Sequence, residues 1–143
     1  MAFPANGNTL SSADLGKGAT SWTPTITGVT AGLGLHSATY YVTLGIAYFN
    51  VTIDCSGALT GSALALSLPV NIFPPAWVAI GDAILNPAGT RFWGKVLRGA
   101  AANEVWVKYV GTAGSPVDIT PTVPATWSAR TQAVALQFSA PLA

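Results

Sequence analysis

The sequence predicts an all-β protein: a single antiparallel β-sandwich or jelly-roll-like domain of about eight strands, preceded by an extended N-terminal arm. Short runs rich in β-branched and aromatic residues alternate between apolar and polar positions, as strands with one buried face do. The fifteen Gly and ten Pro stand mostly near the ends of these runs, where they disfavour helices. A length of 143 residues fits one domain of ordinary size.

The clearest alternation lies in residues 46–54, where Tyr48 and Asn50 fall on one face and Phe49 and Val51 on the other. Turn residues separate the runs from one another. The predicted strands are residues 23–29, 39–44, 46–54, 62–68, 76–85, 91–97, 104–110 and 131–139, with residues 91–97 and 104–110 forming a hairpin.

Residues 1–21 lack this alternation and are rich in Gly, Ser, Asn and Ala, so we interpret them as an arm and residues 22–143 as the domain. Phe3, Leu10 and Leu15 are apolar anchors at irregular spacing, which suits an extended peptide lying in surface grooves of a partner. The alternative is a terminus that stays disordered.

The composition points to an oligomer. Half of the residues are apolar and only 8% are charged, whereas about a quarter are charged in an average soluble domain. Six Lys and Arg against five Asp and Glu argue against nucleic-acid binding, which needs clustered cations. No run approaches the ~20 apolar residues that insert into a membrane, and no secretory signal pattern is present, so we expect synthesis in a cytoplasm.

The residues needed for catalysis are scarce. His36 is the only His, Glu104 the only Glu and Cys55 the only Cys, and no Gly-x-Ser-x-Gly motif occurs. One His and one Cys cannot complete a zinc site, and no Asp-x-Asp-x-Asp spacing indicates a calcium loop. We therefore predict no enzymatic activity, no metal and no cofactor.

Four of the six cations fall within the predicted hairpin: Arg91, Lys95, Arg98 and Lys108. One interpretation is a solvated face. The other is a contact surface for an acidic capsid or for a polymer of the cell envelope.

Tryptophans supply the remaining candidates. Trp93 and Trp106 lie in the hairpin and are interpreted as facing one another. Such a pair would serve as core, as a subunit contact or as a platform that stacks on sugars, and we favour core or interface.

A set of strand motifs carries a family resemblance over residues 22–139. The motifs are Trp22-Thr23-Pro24-Thr25, a run with Tyr40 or Tyr41, Gly45, Phe49, Val51 and Ile53, then Leu66-Ser67-Leu68-Pro69 and a late Trp127. Through these motifs the chain resembles a β-sandwich domain of bacteriophage tail-fibre, minor tail and head-decoration proteins. The resemblance implies a trimer-forming domain exposed on the virion, without catalytic residues. It also implies that Trp22 and Trp127 are core residues.

We therefore expect a virion structural protein on the particle surface, made in the host bacterial cytoplasm. The short chain, beginning at Met1 with one domain and an arm, favours a capsid decoration protein attached through that arm, and the resemblance implies that it is a homotrimer. The alternative is a tail-tip or tail-fibre protein that recognises a host surface glycan. A secreted carbohydrate-active enzyme is disfavoured. The predicted partner contacts are Phe3, Leu10, Leu15, Arg91, Trp93, Lys95, Trp106 and Lys108.

Overall fold

A computed structural model describes residues 19–112 and 114–143. The predicted all-β domain of eight strands is confirmed, and the described residues contain no helix. The strands are β1 (Thr20–Ser21), β2 (Ile26–Thr43), β3 (Ile46–Ser67), β4 (Ala79–Leu85), β5 (Phe92–Arg98), β6 (Glu104–Val110), β7 (Pro116–Asp118) and β8 (Arg130–Pro141). No segment of the described chain is a helix able to span a bilayer.

The strands form one antiparallel sheet that closes on itself. Their order is β1-β2-β3-β8-β4-β5-β6-β7, and a further pairing joins β3 to β6. Strand β3 pairs with β8 over residues 46–55 and with β6 over residues 65–67. A closed barrel of β3, β8, β4, β5 and β6 results, with β1 and β2 outside it on one side and β7 on the other.

Strand β3 closes the barrel because it is long and bent. Its 22 residues would extend roughly 70 Å if straight, far beyond the core of a domain this size. The bend falls where Gly61 and Ala63 adopt φ values of 82° and 66°. Gly28 of β2 lies against this bend, because a Cβ there would stand 1.9 Å from the Ala63 carbonyl oxygen.

Two predicted breaks between strands are wrong, and glycines inside the strands explain both. We expected breaks at residues 30–38 and 55–61, but β2 and β3 run through both segments with several register shifts. The glycines there allow bulges and close approach inside a strand rather than ending it.

The barrel interior is apolar, and the alternation predicted for residues 46–54 is confirmed. Ala47, Phe49, Val51 and Ile53 are buried, whereas Asn50 faces outward. Burying each large aliphatic side chain contributes about 2 kcal/mol. The largest fully buried side chains are Val51, Ile53, Leu64, Leu66, Ile72, Leu85, Val96, Val105, Val107, Ile119, Val134 and Leu136.

Trp127 is a core residue, as predicted, and its indole Nε1 donates to the Thr120 carbonyl at 3.1 Å. Trp22 is partly buried and packs against the core from the β2 side. Its Nε1 donates to the Ser67 carbonyl at 3.2 Å, which ties the start of the domain to β3.

The predicted arm meets the described residues only at its end. Thr20 and Ser21 pair with Tyr40 and Thr39 as strand β1. Residues 1–18, which include Phe3, Leu10 and Leu15, lie outside the described residues.

The turn between β2 and β3 offers a test of local strain. Leu44 and Gly45 form a two-residue hairpin turn with φ values of 52° and 75°, the type I′ geometry that favours Asn-Gly. Leu44 is 57% exposed, so little burial is lost when it is replaced. We expect Leu44→Asn to raise the free energy of unfolding by about 1 kcal/mol in urea titrations, because Asn tolerates the left-handed region better. Leu44→Ala should give no such gain in the free energy of unfolding. A lower free energy of unfolding in Leu44→Asn would contradict the interpretation that Leu44 is strained.

Candidate binding surfaces

A continuous polar row crosses the outer face of the sheet. Each residue lies opposite the next on the neighbouring strand, so their side chains share the solvent-facing side. The row consists of Thr39, Asn50, Gln137, Asp82, Lys95, Lys108 and Asp118.

Ion pairs neutralise both lysines of this row. The Lys95 Nζ lies 2.6 Å from the Asp82 Oδ1, and Lys108 pairs with Asp118 on the neighbouring strand. Both pairs reach solvent and contribute at most about 1 kcal/mol each. Lys108 Nζ also stands 5.1 Å from the Trp106 ring centroid.

The other two hairpin cations differ in their contacts. Arg98 donates to the carbonyls of Gly99 and Ala100 at 2.9 Å each, whereas Arg91 is exposed just before β5. Of the four hairpin cations, Arg91 alone is thus both exposed and without a carboxylate partner within the described residues.

Two depressions on this outer face meet at the centre of the row. One has a volume of about 600 Å³ and the other about 320 Å³, and Asn50 and Gln137 line both. We call this surface the trough and define it by Tyr41, Tyr48, Asn50, Asp82, Trp93 and Gln137.

Aromatic rings stand at both ends of the trough. Tyr41 and Tyr48 stack with centroids 4.9 Å apart and an interplanar angle of 11°. At the other end the Trp93 side chain is 70% exposed. Large aromatic surface left open in this way is typical of a binding surface.

The predicted facing pair of Trp93 and Trp106 is wrong. In the register of the sheet, Trp93 lies opposite Ile84 and Trp106 opposite Leu97. Trp93 is also not a core residue, because it projects from the outer face of β5. The two tryptophans therefore belong to different surfaces.

Trp106 contacts a second surface, which we call the apolar patch and define by Phe73, Trp77 and Val78. Their exposed fractions are 72%, 51% and 43%. The Trp77 ring packs edge-on against Trp106 with centroids 5.2 Å apart. The backbone N–H of Trp77 donates to the Arg98 carbonyl at 2.7 Å, so the sheet holds the patch in place.

Sequence reasoning missed several residues of these surfaces. Tyr41, Tyr48 and Gln137 were assigned to strands but to no site, and Trp77 was placed in a strand that begins only at Ala79. Period-two alternation put Tyr48 and Asn50 on one face. It carried no information on which distant strands lie beside them.

A small electrostatic cluster lies at the start of β8. The Asp54 carboxylate accepts the backbone N–H of Gln132 at 2.7 Å and contacts the His36 Nδ1 at 3.1 Å. The backbone hydrogen bond from Gln132 and, to a smaller extent, the contact with His36 hold the pKa of Asp54 below its ordinary value of 3.8. Gln132 has a φ of 50° near the start of β8, so the carboxylate also supports a strained residue of that strand. No group of three His, Cys, Asp or Glu in residues 19–112 and 114–143 could hold a metal ion.

The lowered pKa of Asp54 predicts a pH dependence of stability. The contribution of the carboxylate is present above pH 3.8 and is lost as the pH falls through the folded-state pKa. We expect Asp54→Asn to melt at a lower temperature than the parent at pH 7, with the difference shrinking below pH 3.8. His36→Ala keeps the backbone bond and should retain most of the dependence. A difference that stays constant between pH 7 and pH 3 would contradict the assignment.

Comparison with protein-family models, with curated proteins and with solved structures finds no match to this chain.

Proposed function

We propose that this protein is a non-enzymatic structural component of the surface of a bacteriophage particle, a homotrimer that decorates the capsid. The strand motifs over residues 22–139 support the assignment to a virion, as does an all-β domain of the size they imply. In this proposal residues 1–21 supply the attachment to the particle, through Phe3, Leu10 and Leu15.

The apolar patch is the observation that carries an assembling role. Phe73, Trp77 and Val78 present open apolar surface on a chain in which only 8% of residues are charged. Backbone hydrogen bonds from Phe73 to Pro141 and from Trp77 to Arg98 anchor the patch to the sheet, which lowers the ordering entropy lost on association. Obligate interfaces are the more hydrophobic kind, and symmetric assemblies bury such patches between copies.

Sedimentation equilibrium tests the trimer. The parent should show about three times the 14.6 kDa mass of one chain at micromolar concentration. Phe73→Glu should dissociate it while leaving the melting of the isolated domain nearly unchanged, because Phe73 is 72% exposed. A monomeric parent, or a Phe73→Glu trimer, would reject the patch as the contact between copies.

Antibody labelling of particles tests the location. Particles of the phage that encodes this chain are incubated with gold-labelled antibody against the purified protein and viewed by electron microscopy. We expect gold distributed over the head. Gold confined to the tail would transfer the protein to the second candidate below, and unlabelled particles would overturn the virion assignment.

The second candidate is a tail protein that recognises a host surface glycan. The trough favours it, because exposed Trp93 and the stacked pair of Tyr41 and Tyr48 flank uncharged amide side chains.

A further inference from the structure

We propose that the trough binds a neutral oligosaccharide. This inference deepens the binding role proposed above, but its test uses the purified protein and so does not depend on where the protein sits in the particle. It is carried by three features of the outer face: flat aromatic surface at both ends, unpaired amides in the middle and a balanced charge.

The aromatic ends supply contact area. The rings of Tyr41 and Tyr48 stack 11° from parallel, and Trp93 on β5 is 70% exposed to solvent. Aromatic rings offer a large apolar face with a polar rim, and so match the apolar face and hydroxyl rim of a pyranose. These side chains have few rotatable bonds, so little entropy is lost when they are covered.

The centre of the trough supplies hydrogen bonds. Asn50 and Gln137 lie directly opposite each other on β3 and β8, and both are exposed. Within the described residues neither side-chain amide has a hydrogen-bond partner. Each amide carries donors and acceptors side by side, the combination that pairs with the neighbouring hydroxyls of a sugar.

The charge of the trough selects against polyanions. Asp82 is the only carboxylate among its defining residues, and its Oδ1 lies 2.6 Å from the Lys95 ammonium. The pair leaves no net charge at the floor. A nucleic acid or an acidic capsule polymer needs several unpaired cations, and the described outer face does not offer them there.

The dimensions favour a chain of sugars over a single one. Tyr48 and Trp93 are separated by three inter-strand spacings across the sheet and by four residues along it, which amounts to roughly 20 Å. The two depressions that meet at Asn50 and Gln137 connect these ends. An oligosaccharide lying along the trough can contact both aromatic ends at once.

A printed array tests the proposal, carrying neutral oligosaccharides, uronic-acid and sialic-acid oligosaccharides, and bacterial O-chains. We expect binding to neutral structures, with affinities then measured by calorimetry on the same compounds in solution. Trp93→Ala should weaken binding at least tenfold, and so should the double variant Asn50→Ala/Gln137→Ala. Trp106→Ala, which removes a tryptophan outside the trough, should bind as the parent does.

Four results would overturn the proposal. Three concern binding: no binding anywhere on the array, preferential binding to the acidic structures, and unchanged affinity in Trp93→Ala. A fourth is dissociation of the trimer by Trp93→Ala, since the trough would then be a contact between copies. Melting of each variant confirms that a loss of binding is not a loss of fold. If the array shows no binding but the antibody labels the particles, this inference fails and the virion assignment stands. If the array shows binding but the particles stay unlabelled, the virion assignment fails and this inference stands.

Discussion

Phe49→Ala is expected to lower the free energy of unfolding by about 4 kcal/mol, the cost of removing a buried aromatic ring that its surroundings cannot refill. Phe49 is 3% exposed and lies near the start of β3. Its ring stacks on Phe138 with centroids 4.7 Å apart, and meets Trp22 and Tyr40 at 5.7 Å and 5.9 Å.

These four aromatic residues come from different parts of the sheet, which is why the effect should be large. Tyr40 lies on β2, Phe49 on β3 and Phe138 on β8, and Trp22 directly follows β1. Phe49 is the one ring that contacts the other three. Its removal therefore loosens the attachment of β2 to the barrel as well as leaving a cavity.

Urea unfolding followed by far-ultraviolet circular dichroism measures the effect. Phe49→Leu keeps most of the volume and should cost about 1 kcal/mol. Trp93→Ala removes a still larger aromatic side chain from an exposed site and should cost less than about 0.5 kcal/mol. Equal losses in Phe49→Ala and Trp93→Ala would mean that the aromatic cluster is not the core of the domain.

The sequence predicts the side of β3 on which Phe49 lies, because alternation is a local property. It also predicts the hairpin of β5 and β6, which is confirmed, but not its register. The two strands pair from Gly94 opposite Tyr109 to Arg98 opposite Val105, so Trp93 and Trp106 do not face one another. Closure of the barrel is not local. It depends on β3 pairing with β8 and β6 at opposite ends, and on a bend at Gly61 that alternation cannot distinguish from a strand end.

The sequence predicts only part of the candidate site, because the rest of it also depends on pairing between distant strands. Trp93 and Lys95 can be predicted because both lie in one hairpin. Tyr48 and Gln137 join them only through the register of β3, β8 and β4, which is set by pairings between residues far apart in the chain. The patterns of single strands do not encode which outward-facing residues become neighbours across a closed sheet.

Gly81→Ala is expected to destabilise the domain by about 3 kcal/mol, as overpacking against backbone does. A Cβ at Gly81 would stand 2.3 Å from both the Gln137 carbonyl oxygen and the Phe138 Cβ. These atoms belong to β8, the strand that joins β4 to β3, and backbone there cannot shift without disturbing the pairing on both sides. The cost is steric rather than conformational, because φ at Gly81 lies outside the left-handed region.

Gly34→Ala is the matched control for Gly81→Ala. Gly34 also lies within a strand, β2, and has an ordinary φ, but a Cβ there meets no atom within 4 Å. Its replacement should be neutral or should stabilise the fold by up to about 1 kcal/mol, since alanine restricts the unfolded chain. Both variants are compared with the parent by urea unfolding with equal m-values required. If the two variants have equal free energies of unfolding, β4 and β8 do not approach each other as closely as barrel closure demands.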